Sequence, residues 1–165
     1  MDSTQPKFPL YLLTGLLILF CSACFFFSRL DSAAANSSSL AGVAALREMS
    51  TQAIPYETAL SNNKPTLIEF YADWCTSCQS LAPSISQFHE QYGSQINFVM
   101  LNIDEPQVQQ QVQQYQVRGV PQFFFIRGDE PSVSLHDRTI VKTLVGAVPK
   151  PILGSWFEKL LYPTS

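Results

Sequence analysis

The order of apolar segments in this chain predicts an α/β fold with a central mixed sheet flanked by helices. Short apolar runs alternate with longer amphipathic segments, which implies crossover connections and a partly parallel sheet. The last two short runs follow one another without a helical segment between them, so they can pair as a hairpin. A charge-free stretch of helix length precedes all of these elements and predicts a single N-terminal transmembrane helix.

The charge-free stretch covers residues 8–27, FPLYLLTGLLILFCSACFFF. A helix of about twenty apolar residues can cross a hydrocarbon core of about 30 Å. A cleaved signal peptide is the alternative, with residues 33–35 as the cleavage site, but its apolar region would span only about 7–15 residues. We therefore expect residues 1–30 to be a retained anchor that contacts membrane lipid through residues 8–27.

Two cysteines, Cys21 and Cys24, lie inside this stretch at a spacing that places them on one helix face. Cysteine behaves as a small hydrophobe in such surroundings, and a thiolate is disfavoured in lipid, so we do not expect a redox relay there. Residues 31–50 follow as a flexible linker rich in Ser and Ala, although residues 40–50 can also form a short helix. The folded domain is expected over residues 51–165.

The elements of that domain follow the order β-α-β-α-β-β-α after a short helix at residues 55–61. The expected strands are residues 66–71, 96–103, 122–126 and 140–145. The expected helices are a long one from the cysteines to about Tyr92, one that begins at Asp104-Glu105-Pro106, and a terminal one near residues 150–161. Residues 127–139 are too long for a tight turn, and we interpret them as a surface insertion that contributes to partner selection.

Cys75 and Cys78 form a C-x-x-C pair, WCTSC, between the first strand and the long helix. A zinc site would need two further ligands, and the isolated His89 and His136, which we expect on the solvated surface, have no ligand-like spacing. A structural staple would close too short a loop to stabilise the chain much. Thiol–disulfide exchange is therefore favoured, and no metal or cofactor is expected.

Position on a helix assigns different roles to the two sulfurs. At a helix N-terminus, unpaired N–H groups and the helix dipole stabilise a thiolate, so Cys75 is expected to attack a client disulfide. Cys78 lies one turn later and can attack the resulting mixed disulfide.

Glu69 lies within the first strand, six residues before Cys75. Burial would raise the pKa of its carboxyl, and such a group can take a proton from Cys78 and return it. The alternative is a carboxylate that faces solvent at the strand end. Pro121 follows Val120 immediately before a strand; its peptide bond can be cis, and the neighbouring backbone can pair with an extended substrate.

The stretches FYADWCTSCQSLAP, NFVMLNIDEP, VRGVPQFFFI and TLVGAV together resemble the thioredoxin family over about residues 51–161. The resemblance implies a thioredoxin fold of four or five strands, with Cys75 attacking and Cys78 resolving in one redox disulfide. It also implies a buried acid at Glu69, which is usually Asp. The remaining correspondences are the substrate-binding residues, namely Trp74 before the motif, Val120 and the cis-proline Pro121, and Gly146 beside the groove.

Two departures from the family pattern concern the site. Thr76-Ser77 replaces the Gly-Pro of general thioredoxins, and Met100 stands where those proteins often carry a lysine near the buried acid. Because Thr76 and Ser77 are uncharged and donate only weak hydrogen bonds to a thiolate, they favour a reducing protein. A holding factor that uses the groove without turnover and a disulfide-forming oxidase remain as alternatives.

An anchor joined to YADWCTSCQSLAP most resembles the membrane-anchored, TxlA-type thioredoxin-like proteins of cyanobacteria and plastids. That resemblance implies a thylakoid or plasma membrane protein with its redox domain on the lumenal or periplasmic side. It implies a role in keeping apocytochrome thiols reduced during cytochrome assembly, with electrons from a membrane thiol carrier of the CcdA or DsbD kind. The formal net charge of −3 provides no basic surface for nucleic acid, which is not an expected partner.

Overall fold

The computed structural model describes residues 40–128 and 139–162. The expected anchor at residues 8–27, with Cys21 and Cys24, lies outside the described residues, as does most of the insertion with His136. Within the described ranges, no helix combines the length and the hydropathy needed to cross a membrane.

The described residues contain the helices and strands in the predicted order. The helices are α1 (residues 40–52), α2 (Tyr56–Ser61), α3 (Thr76–Tyr92), α4 (Gln109–Gln114), which follows a 3₁₀ turn at Pro106–Val108, and α5 (Lys150–Leu161). The strands are β1 (Thr66–Tyr71), β2 (Asn97–Asn102), β3 (Gln122–Ile126) and β4 (Ile140–Val145). Each strand lies within a residue of its predicted position, because its short apolar run is bounded by turn residues.

The four strands form one mixed sheet in the order β2-β1-β3-β4. The pair β1–β2 is parallel, since the chain crosses over through α3, whereas β3 is antiparallel to both β1 and β4. The predicted hairpin of the last two strands is therefore present. Strand β1 lies between two neighbours and is buried along its whole length.

The alternation of side chains along β1 separates the two faces of the sheet. Leu67 and Tyr71 contribute to a core cluster that also contains buried residues of α1, α3 and α5. Ile68 and Phe70 belong to a second cluster, which contains Ala59 of α2. Helices therefore cover both faces, as expected for a central strand with no polar side.

Phe157 of α5 is the centre of the first cluster, with none of its surface exposed. Its ring centroid lies 4.7 Å from that of Phe88, 5.3 Å from those of Tyr92 and Phe125, and 5.5 Å from that of Phe98. Such aromatic pairs contribute about 0.5–1.5 kcal/mol each beyond the burial of apolar area. This packing attaches α5 to α3 and to the sheet, so it supports the long helix that begins at the cysteines.

Residues 40–50 could form either a flexible linker or a short helix. In the structure they are part of helix α1, and one face of this helix is buried. Leu46 is fully buried and Met49 is 4% exposed, and both belong to the cluster that contains the two cysteines. Their spacing, together with Gly42, places three buried positions on one helix face. The expected domain start at residue 51 and the linker assignment of residues 40–50 are thereby corrected, since the core already includes Leu46.

Candidate functional site

The Cys75–Cys78 pair lies where β1 ends and α3 begins. The connection of residues 72–75 is closed by a hydrogen bond from the N–H of Cys75 to the carbonyl of Ala72, at 3.1 Å. Cys75 is the N-cap of α3, and its Sγ accepts the N–H of Cys78 at 3.1 Å. The two residues are joined by a disulfide, with their Cα atoms 5.2 Å apart. The sulfur of Cys75 is thus placed where helix N–H groups stabilise a thiolate.

Cys75 is more exposed than Cys78, as expected if Cys75 attacks the client disulfide and Cys78 resolves the mixed disulfide. Cys75 retains 6% of its surface, whereas Cys78 retains none. An incoming disulfide can therefore reach only Cys75 without a rearrangement of α3. Cys78 lies behind it, on the buried face of the same helix.

Glu69 lies in the centre of β1 and is only 1% exposed. Its neighbours on the adjacent strands are Met100 and Phe123, and neither offers a hydrogen bond from its side chain. Within the described part of the chain, both carboxyl oxygens lack a hydrogen-bond partner. Burial raises the pKa of Glu69 from 4.5 to about 8. The alternation of β1 directs Glu69 to the face that carries Cys78.

The segment around Pro121 meets the end of β4. The Val120–Pro121 peptide bond is cis, in agreement with the resemblance. The carbonyl of Pro121 accepts the N–H of Gly146 at 2.8 Å, and Val120 packs against the cluster that contains both cysteines. Gly146 has a φ of +83°, a conformation that glycine adopts without steric cost. Val145, beside it, is 59% exposed and adds apolar surface to this segment.

Trp74 is 64% exposed, which is unusual for so large an apolar ring. Its indole Nε1–H donates to a carboxylate oxygen of Asp104 at 2.8 Å, and this bond restrains the orientation of the ring. The N–H of Asp104 in turn donates to the side chain of Asn102 at 3.0 Å. The sequence indicates only that Asp104 is an acid at a helix start, because a contact between residues thirty positions apart leaves no local signal.

Gln79 is a second residue at the site that the sequence does not single out. Its side-chain amide donates to the carbonyl of Asp73 at 2.7 Å, which links the first turns of α3 to the connection before it. His89 departs from the expected solvated position, since its ring packs against that of Phe98 with the centroids 4.9 Å apart. Among residues 40–128 and 139–162, no group of three or more His, Cys, Asp or Glu side chains is placed to hold a metal ion.

The protein has a thioredoxin fold with a redox-type cysteine pair. The features that define this class are the mixed four-stranded sheet, the disulfide-bonded C-x-x-C pair at a helix N-terminus and the cis-proline. The family model for thioredoxin matches residues 47–150, and the chain belongs to the thioredoxin family. A thioredoxin from Synechocystis is 34% identical over 106 residues, which cover 64% of this chain and 88% of that protein.

Two further relatives are longer proteins. The thiol:disulfide interchange protein TxlA of Synechococcus elongatus is 38% identical over 134 residues, 81% of this chain and 61% of that protein. The chloroplastic thioredoxin-like protein HCF164 of Arabidopsis thaliana is 47% identical over 81 residues, 49% of this chain and 31% of that protein. The chain thus spans less than two thirds of either relative.

Among solved structures, the germline-specific thioredoxin Deadhead of Drosophila melanogaster aligns with a TM-score of 0.50 at 24% identity. The alignment covers 63% of this chain and 86% of that one. This similarity supports the fold alone.

Proposed function

We propose that the protein is a membrane-anchored thiol–disulfide oxidoreductase that reduces disulfides in client proteins. The observation that carries the proposal is the position of Cys75, which caps α3 and accepts the N–H of Cys78. The proposed attacking role of Cys75 and the proposed resolving role of Cys78 are supported by the small exposed surface of the first and the complete burial of the second.

The reaction transfers two electrons from the dithiol form of the protein to the client. The Cys75 thiolate attacks one sulfur of the client disulfide, forms a mixed disulfide and expels the other client sulfur as a thiolate. The Cys78 thiolate then attacks the Cys75 sulfur, so that the Cys75–Cys78 disulfide forms and the second client thiol is released. A reductant must afterwards return the pair to the dithiol form.

Glu69 is suited to move the proton of Cys78 during this cycle. Its pKa of about 8 lies near the ordinary thiol pKa of about 8.5, so proton transfer between the two groups costs little in either direction. Neighbouring Met100 supplies no positive charge that would lower the pKa of Glu69. We propose that Glu69 accepts the proton when Cys78 attacks and returns it when the pair is reduced again.

The residues between the cysteines favour reduction over oxidation. Thr76 is exposed and Ser77 is half-buried, and both side chains are uncharged. A strong oxidant stabilises its thiolate further, and DsbA reaches a potential of about −120 mV in this way. A midpoint potential of the Cys75–Cys78 pair in that range would contradict reduction and support the oxidase alternative.

We propose that residues 8–27 anchor the protein in a thylakoid or plasma membrane, with the redox domain on the lumenal or periplasmic side. Apocytochromes are the proposed clients, and a CcdA- or DsbD-type membrane thiol carrier is the proposed electron donor. The support is the resemblance to anchored proteins of this kind, together with a chloroplastic relative and an interchange protein among the similar sequences.

Trapping of mixed disulfides tests the function. Cys78→Ser removes the resolving thiol, so client proteins should stay attached to Cys75 and be released by a reductant. Cys75→Ser is the matched control, since it makes the same change three residues earlier and should trap no client. Equal recovery from both variants would contradict the proposed roles. If a variant with both substitutions fully supports cytochrome assembly in cells, the holding function replaces the reductase.

A further inference from the structure

Helix α1 contacts the connection of residues 72–75, which ends at Cys75, and the first turns of α3, which contain Cys78. Gly42 lies against Gln79, and Arg47 pairs with Asp73, whose carboxylate lies 3.5 Å from the Arg47 guanidinium. Further along α1, Met49 is buried in the core cluster that also contains Tyr71, the last residue of β1. Between them, these three contacts reach the end of β1, residues 72–75 and the first turns of α3.

The contact at Gly42 is too close for any other residue. A Cβ at this position would lie 2.8 Å from both the Cβ and the carbonyl oxygen of Gln79, a separation that real Cβ atoms essentially never show. Pro83, four residues after Gln79, has no N–H with which to make the usual helical bond to that carbonyl. The backbone of α1 therefore packs directly on a turn of α3 that lacks one of its own hydrogen bonds.

Gln79 transmits this contact to the connection before the helix. Its amide donates to the carbonyl of Asp73 at 2.7 Å, while Arg47 approaches the carboxylate of the same Asp73 from α1. The ion pair is exposed and contributes little by itself. The burial of Leu46 and Met49 is what holds α1 in place.

We propose that α1 is a clamp on the connection of residues 72–75, and that Gly42 and Gln79 are positioning residues for Cys75. This clamp proposal depends on one part of the proposed function, namely that Cys75 is the attacking thiol. Stabilisation of that thiolate depends on the alignment of Sγ with the N–H of Cys78 and with the axis of α3. A clamp that holds both sides of the connection maintains this alignment when the disulfide is open.

The test compares two glycine-to-alanine changes in the full-length, detergent-solubilised protein. Gly42→Ala adds a Cβ at the clamp, whereas Gly154→Ala adds one in α5 at an ordinary 3.5 Å from the ring of Phe88. Alkylation of reduced Cys75 is followed from pH 5 to 10 by mass spectrometry of its peptide. We expect Gly42→Ala to shift the profile to higher pH and to slow alkylation at pH 7 by about three- to tenfold, since less thiolate is present. Gly154→Ala should superimpose on the unchanged protein.

A second variant keeps the test decisive if Gly42→Ala fails to fold. Gln79→Met keeps the length of the side chain but removes the donor to Asp73, and its profile should shift in the same direction. The clamp is refuted if the folded variants, checked by circular dichroism, share the profile of the unchanged protein. The Cys78→Ser trapping experiment tests the proposed function separately. If that experiment traps no client, the proposed function is refuted, whereas the clamp is still tested by the alkylation profiles.

Discussion

Glu69 illustrates how one residue depends on its surroundings. A carboxyl group within an apolar strand is destabilised in its charged form, and Met100 and Phe123 offer it neither a cation nor a hydrogen bond. The folded protein therefore favours the protonated acid up to a pH of about 8. In the disulfide form, the protonated Glu69 can therefore give its proton to Cys78 when the pair is reduced, and the carboxylate that remains can accept a proton when Cys78 attacks again.

Glu69→Gln is expected to change the pH dependence of stability. Because the pKa is about 8 in the folded protein and 4.5 in the unfolded chain, the folded state holds an extra proton between these values. The stability of the unchanged protein therefore falls as pH rises from 4.5 to about 8. The Glu69 contribution to this fall amounts to about 3–5 kcal/mol, and the variant should lack it. Urea unfolding of the oxidised proteins at pH 5 and pH 9 measures the difference.

Two further observations complete that test. Glu90→Gln, at an exposed position of α3, is the matched control for the chemical change. Resolution of the mixed disulfide should slow by about 10- to 100-fold in Glu69→Gln, because the proton acceptor is lost. Parallel stability curves for Glu69→Gln and the unchanged protein would show that Glu69 is ionised in the folded state.

Among the elements, α1 differs most between its local sequence and its place in the fold. Residues 40–50, LAGVAALREMS, are mostly small, which is compatible with a linker as well as with a helix. Leu46 and Met49 make it a packed element, because both side chains are buried in the core cluster that contains residues of α3, α5 and the sheet. Packing of this face, more than helix propensity, stabilises so short a helix.

Leu46→Ala is expected to destabilise the protein by about 2–5 kcal/mol, since a fully buried side chain leaves a cavity. Leu40→Ala is the matched control in the same helix, because Leu40 is 71% exposed and its truncation should change stability by no more than about 0.5 kcal/mol. Urea unfolding with an unchanged m-value measures both. Equal losses at the two positions would mean that α1 does not pack on the core in solution.

The whole chain combines two parts with different expected functions. The cysteine pair lies within the described residues, and residues 8–27 are the expected membrane anchor. The redox domain has its own core on both faces of the sheet. It should therefore fold without the residues before α1.

The full chain is expected to remain in the membrane pellet after extraction at alkaline pH, because about twenty apolar residues hold it in the bilayer. A chain that begins at residue 40 should appear in the supernatant and still reduce a disulfide substrate such as insulin. Protease added to sealed vesicles then reports the side on which the domain lies. Release of the full chain by alkali, or a mass that shows cleavage near residues 33–35, would exclude the anchor.

The class of fold, the positions of the four strands and the chemistry of the cysteine pair can all be predicted from the amino-acid sequence. The period of the apolar residues indicates which side chains are buried, and turn residues indicate where helices and strands end. Both signals lie within short segments of the sequence. The burial of Glu69 can be predicted in the same way, because Glu69 is the one charged residue within an otherwise mostly apolar strand, residues 66–71.

Contacts between residues that are distant in the sequence become known only from the folded structure. Trp74 bonds to Asp104 thirty residues away, and Gly42 packs on Gln79 across two elements. A local pattern shows that a surface will be buried but not which partner surface will bury it. That choice depends on the packing of all the elements together, and it makes residues 40–50 a helix packed on the core where the sequence predicts a linker.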